Sequence, residues 1–181
     1  MELVEPDVLP DHDVVVRVWA SSLNYKDALS ASGNRGVTRS YPHTPGIDAA
    51  GEVTASRDAR FAPGDLVLCT GYDLGMDTPG GFGEYVSVPG DWLVRLPEGL
   101  SPEDAMVLGT AGLTAALALR RLASVGAGPG LGPLVVTGAS GGVGSLAVQL
   151  AARAGANVIA PALPQDEGFL RDLGVSVVLP R

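Results

Sequence analysis

Cysteine is almost absent. Cys69 stands alone in 181 residues, so no internal disulfide can form, and the composition suits a reducing cytoplasm. Histidine is nearly as scarce: His12 and His43 are the only two, and with Cys69 they are spread without ligand spacing, so no metal site is expected. Basic residues are outnumbered, 12 Lys and Arg against 20 Asp and Glu, which leaves a formal net charge of −8 and a pI near 4.6. Such a surface repels phosphate-coated partners, so neither nucleic acid nor a membrane is an expected partner. No apolar run reaches the ~18 residues of a spanning helix, and residues 1–7 have neither the basic start nor the apolar stretch of a signal peptide. A cytoplasmic protein is expected.

Turn formers and apolar residues are abundant. With 25 glycines, 14 prolines and 46% hydrophobic residues, the chain reads as many short elements around one ordinary core or two small ones. Residues 14–20 are β-branched and form a strand. Further strands are predicted at 47–55, 66–70, 83–88 and 92–96, punctuated by Pro45-Gly46 and Pro63-Gly64, with a short helix ending near Ala31. That density predicts a small barrel-like β domain. At Ser101-Pro102-Glu103-Asp104 the signals change to those of a helix start, an N-cap followed by proline and early acids. After Gly109-Thr110-Ala111-Gly112-Leu113-Thr114 an alanine- and leucine-rich helix is expected to run to about Ala123, and residues 126–133 form a glycine/proline linker. The remainder alternates: strand 134–138, helix 142–154, strand 157–160, helix 166–172, strand 175–179. This βαβαβ order is one mononucleotide-binding half of a doubly wound sheet.

The most informative stretch is Val135-Val136-Thr137-Gly138-Ala139-Ser140-Gly141-Gly142-Val143-Gly144, an apolar strand leading through a glycine-rich turn into a helix. In that setting Gly138 permits the tight turn, Gly141 lets main-chain N–H groups approach a pyrophosphate, and Gly144 lets helix and strand pack closely. Gly138, Ser140, Gly141, Gly142, Val143 and Gly144 are therefore the candidate cofactor-binding residues.

Five stretches in collinear order carry a resemblance: Ser21-Ser22-Leu23-Asn24-Tyr25-Lys26-Asp27, Pro45-Gly46-Ile47-Asp48, Gly90-Asp91-Trp92-Leu93-Val94, Gly109-Thr110-Ala111-Gly112-Leu113-Thr114-Ala115, and the glycine turn. Together they resemble the zinc-independent medium-chain dehydrogenase/reductase superfamily and, within it, the YhdH/AcuI-type quinone oxidoreductase and acryloyl-CoA reductase family, shortened at both ends. The resemblance implies an α/β fold: an N-terminal β-rich GroES-like catalytic domain (1–108) and a partial (βαβαβ) Rossmann nucleotide-binding domain (109–181). It also implies an NAD(P)H-dependent oxidoreductase, with NADPH as hydride donor, an α,β-unsaturated acyl-CoA or a quinone as acceptor, and a homodimer partner or a complementing chain. Gly46-Ile47-Asp48 stands where zinc-dependent relatives carry glycine-histidine-glutamate. At the end of the second nucleotide-binding strand the family carries Thr/Ser-Gly-Arg to grip the 2′-phosphate, whereas Pro161-Ala162-Leu163 here carry no charge; no acid stands at that strand end for a ribose 2′-hydroxyl either, Asp166 and Glu167 following several residues later, so NADH is open as well as NADPH. A truncated, non-catalytic nucleotide-binding or interaction module, or one piece of a split reductase, are the alternatives.

Reduction of a conjugated carbonyl needs an oxyanion stabiliser and a proton source. By the resemblance, Tyr25, Asn24, Asp27 and Lys26 form the catalytic loop, with Tyr25 near the nicotinamide. Read without it, the same residues are a loop-to-helix junction in which Asn24 or Asp27 caps and Lys26 is solvated. Thr110 and Thr114 either bond the carbonyl four residues back or, by the resemblance, bind the cofactor, Thr114 near its ribose or pyrophosphate. Asp48, in an apolar run, is expected to be a hydrogen-bond hub. Trp19 and Trp92 are expected in the core, and Arg35 and Arg39 either meet a coenzyme A phosphate or are solvated.

Overall fold

The computed structural model describes residues 9–126 and 132–181, which fall into two compact units, Met1–Thr110 and Ala111–Arg181. The linker expected at 126–133 lies largely outside the described residues, and the N-terminal stretch 1–7 lies wholly outside them.

Unit 1 is built on a five-stranded antiparallel sheet in the order β4-β1-β2-β3-β5. Its strands are β1 (Val14–Ala20), β2 (Asp48–Ser56), β3 (Leu66–Thr70), β4 (Tyr85–Val88) and β5 (Val94–Arg95). Alternation places Val14 and Val16 inward with Val53, Val67, Cys69, Val86 and Val88, all at most 2% exposed, and Leu74 and Phe61 complete this core. The same period turns Arg17 and Trp19 outward. Trp19 is 48% exposed and is not a core residue, contrary to the sequence expectation. Trp92 is partly buried against the core, with Tyr72 stacked on it at 5.1 Å. Residues 90–92 form a 3-10 turn, so the strand expected at 92–96 shrinks to Val94–Arg95. Between β1 and β2 runs one short helix, α1 (Tyr25–Ala31).

Helix α2 spans Pro102–Ser124 and is interrupted at Gly109, whose φ of 48° and ψ of −154° belong to no helix. Its start follows the sequence signals: Ser101 Oγ accepts the Asp104 N–H at 3.0 Å. Ala105 and Met106 form a second small core with Ala50. With 23 residues, α2 is long and apolar enough by length and composition to cross a membrane, and the Gly109 break divides it.

Unit 2 carries a three-stranded parallel sheet in the order β6-β7-β8, formed by β6 (Leu134–Val135), β7 (Val158–Ala162) and β8 (Val177–Pro180), with α3 (Gly142–Arg153) and α4 (Glu167–Asp172) as its crossovers. Strand β6 is shorter than the expected 134–138, although Val136 N–H still reaches Ile159 O at 2.9 Å before the chain enters the glycine turn. Val148 and Ala151 of α3 pack with Val158, Ala160 and Leu170. Gly155, with φ of +85°, ends α3 through its N–H on Ala152 O.

Cys69 is 1% exposed. Burial, with a smaller contribution from the negative charge of Asp48, pushes its thiol up to about 12. Because the thiolate is the reactive form, iodoacetamide at pH 8 is expected to leave Cys69 unmodified in the folded chain and to label it after unfolding in urea. Rapid labelling without urea would contradict this burial.

Candidate functional site

The loop between β1 and α1 is held by two buried carboxylates. Asp27, in the first turn of α1 and 1% exposed, reaches back so that Oδ2 accepts the Asn24 N–H at 2.7 Å while Oδ1 accepts the Ile47 N–H at 2.9 Å. It thus ties the helix start to the strand that carries Asp48. Asp48 is fully buried. Its Oδ2 accepts from Ser22 Oγ, from Asn24 Nδ2 at 2.8 Å and from the Thr110 N–H at 3.0 Å, and its Oδ1 accepts from Thr110 Oγ1 at 2.6 Å. Ser21 Oγ donates to the Asp48 carbonyl at 2.6 Å. This is the hub expected at Asp48.

The break at Gly109 makes the arrangement possible. A Cβ there would strike Ser22 Oγ and come within 2.8 Å of Asp48 Oδ2, and its positive φ is a conformation that side chains rarely adopt. The helix restarts at Thr110 with its first N–H aimed at a carboxylate, the favourable end of the helix dipole for an anion. Thr110 therefore gives its hydroxyl hydrogen to Asp48 and not to the carbonyl four residues back.

Of the four residues predicted as catalytic, the structure brings Asn24 and Asp27 into this network and leaves Tyr25 and Lys26 exposed beside it; Tyr25 is 81% exposed and its neighbour Leu23 83%. Thr114 lies one turn beyond Thr110 on α2 and is exposed. Ser22 and Gly109 are network members that sequence reasoning missed, although the polar run 21–27 and the glycine before Thr110 were visible. Arg39 is paired with Asp77, Nε to Oδ2 at 3.3 Å, and Arg35 Nη1 donates to Arg39 O at 3.0 Å.

In unit 2 the turn between β6 and α3 has Gly138 at φ +62°. Gly141 N–H closes the turn on Gly138 O at 3.0 Å. Gly144 sits so close to the Gly138 carbonyl that a Cβ would collide with it and with Ala139 Cα at 2.8 Å. Gly141 occupies the N-cap of α3, and no side chain caps that end. Gly138, Ser140, Gly141, Gly142 and Val143 are all exposed. Open space lies where side chains at Gly138 and Gly142 would be. An uncapped helix start ringed by glycines fits a pyrophosphate. His12, His43 and Cys69 are held apart: His12 packs near Trp92, His43 near Tyr41, and Cys69 inside the sheet. Among the described residues no three His, Cys, Asp or Glu side chains gather as a metal site.

Comparison with known proteins bears on both units. Residues 10–98 match the alcohol dehydrogenase GroES-like domain. The acrylyl-CoA reductase AcuI of Ruegeria pomeroyi is 46% identical over 174 residues, 96% of this chain and 53% of that protein. The crystal structure of the YhdH oxidoreductase from Salmonella enterica in complex with NADP superposes with a TM-score of 0.96 at 48% identity, over 99% of this chain and 56% of that one. The Bacillus subtilis protein YhfP, solved with NAD bound, gives 0.93 at 47% identity, over 98% and 54%. The chain thus spans about half the length of these relatives. It carries a GroES-like domain, and its fold matches that of the medium-chain dehydrogenase/reductase oxidoreductases, with the βαβαβ part of a Rossmann fold. Among these it is similar to the YhdH, YhfP and AcuI oxidoreductases.

Replacing Asp48 by Asn turns one acceptor into a donor facing donors. Leaving buried partners unsatisfied costs about 1–3 kcal/mol, so Asp48→Asn is expected to lower the urea midpoint at unchanged m-value. An unaltered midpoint would mean that the four bonds contribute nothing net.

Proposed function

We propose that this chain supplies the cofactor- and acceptor-binding residues of a zinc-independent, NAD(P)H-dependent reductase whose acceptor is an α,β-unsaturated acyl-CoA of the acryloyl-CoA kind or a quinone. The observation that carries this reading is the turn at 138–144, with Gly138 at φ +62°, Gly144 seated on the Gly138 carbonyl, and the α3 N-terminus without a side-chain cap. Main-chain N–H groups of Gly142, Val143 and Gly144 would hold the pyrophosphate, with Ser140 beside them and Thr114 of α2 as a further cofactor contact. The scattered positions of His12, His43 and Cys69 support chemistry without zinc. A cytoplasmic setting suits a free, buried Cys69.

When bound, the nicotinamide supplies a hydride, and the remaining work falls to this chain. As the β-carbon of the acceptor is reduced, negative charge gathers on the carbonyl oxygen. Tyr25 Oη donates a hydrogen bond to that oxygen and Lys26 Nζ adds positive charge beside it, and the enolate then takes a proton from solvent at its α-carbon. Asn24 and Asp27 are positioning residues. Their bonds to Asp48 and Ile47 fix the loop so that Tyr25 and Lys26 need not be ordered at each turnover.

A second reading, that the chain acts as a binding module or as one piece of a split reductase, is favoured by the exposed apolar residues of the unit 2 sheet: Val135, Val177 and Leu179 are 55%, 41% and 44% exposed. Fluorescence titration separates these readings from a protein that binds no dinucleotide. Saturable binding of NADH or NADPH is expected, and Gly144→Val is expected to abolish it; absence of any signal with both cofactors would remove the proposal. With acryloyl-CoA or benzoquinone as acceptor, Tyr25→Phe is expected to lower kcat about 10²-fold at unchanged cofactor affinity. Turnover that appears only on adding a complementing polypeptide would favour the split enzyme.

A further inference from the structure

The end of the second nucleotide-binding strand carries a selectivity that the glycine turn does not, provided that unit 2 holds a nicotinamide dinucleotide, the reading on which this selectivity rests. In a βαβ unit the adenosine ribose meets the C-terminal end of that strand. An acidic side chain there accepts from the 2′-hydroxyl, or an arginine grips a 2′-phosphate. In this chain the strand is β7, which ends at Ala162.

Pro161, Ala162 and Leu163 offer neither charge nor side-chain hydrogen bonds. Pro161 and Pro164 also lack the main-chain N–H that could have reached an anion. The 3-10 turn Pro164–Asp166 then folds the chain back, with the Asp166 N–H on Leu163 O at 3.0 Å, so the first charged side chain after the strand is an acid, half-buried. The next cation along the chain is already engaged. Arg171 places Nε and Nη2 on Glu167 Oε1 at 3.0 and 2.8 Å and Nη1 on Ser176 O at 3.3 Å. A 2′-phosphate brings a charge of about −1.5 to −2. Here it would lose hydration without gaining a cation from the strand end, where the first charged group in the chain is of like sign. The residues present do not fit it.

We infer that unit 2 selects NADH over NADPH, with Leu163 and Asp166 as the specificity-determining residues at the adenosine ribose. Affinity can be read without turnover by titrating the full chain with each cofactor and following nicotinamide fluorescence. NADH is expected to bind at least tenfold more tightly, and ADP to displace it more effectively than 2′,5′-ADP. Leu163 is 41% exposed, so substitution there spares the core. The double variant Leu163→Arg, Asp166→Ser is expected to gain at least tenfold in NADPH affinity, with its far-UV circular dichroism unchanged. NADPH binding to the unsubstituted chain as tightly as NADH would overturn the inference and leave the dinucleotide reading standing. Binding of neither cofactor would overturn both.

Discussion

The carboxylate of Asp48 is the constraint on which the loop after β1 and the restarted α2 depend. Burying an ion costs several kcal/mol after relaxation, and a position with 0% exposure is tolerable only when its oxygens are filled. Four donors fill them, from a serine and an asparagine in the loop after β1 and from both the main chain and the side chain of Thr110. The requirement works in reverse as well. Because the carboxylate must be satisfied, the loop and the restarted helix have little freedom to move, and the exposed Tyr25 and Lys26 inherit a rigid base.

Two helix starts in this chain are treated in opposite ways. At Thr110 the orphan N–H of the restarted α2 is spent on Asp48, an internal anion. At the start of α3, Gly141 supplies no side-chain acceptor, and no side chain caps the N–H groups that follow it. Glycine is needed in both places for steric reasons: at Gly109 a side chain would strike Ser22 and Asp48, and at Gly144 it would strike the Gly138 carbonyl. The difference in electrostatics separates a structural joint from the cradle proposed for a dinucleotide. The same contrast extends to the end of β7, where Pro161 and Pro164 lack a main-chain N–H and Arg171 is engaged by Glu167 and Ser176.

Much of the fold is legible in the chain itself. Strands β1 and β3 fall on the residues that β-branching and alternation indicate, and α2 begins at the serine-proline signal. Where structure and expectation differ, the cause is tertiary. The strand expected at 92–96 is mostly displaced by the 3-10 turn at 90–92, whose Trp92 packs against both the core and Tyr72. Trp19 has the size and the strand setting of a core residue, but position 19 falls on the outward phase of a register set by Val14 and Val16. The hydroxyl of Thr110 donates to a carboxylate 62 residues away, a contact that no local pattern announces.

By itself the sequence determined the local events: the strand, turn and helix around Gly138 and Gly144, the helix start at Ser101, and the apolar end of β7. Each depends on backbone preferences and on neighbours a few residues away, which a linear chain already contains. Only the tertiary structure decided that Asp48 answers Ser22, Asn24 and Thr110 at separations of 26, 24 and 62 residues, and that α2 must break at Gly109. Those bonds exist because sheet pairing and helix packing bring distant segments together, and a buried charge then leaves them a single arrangement.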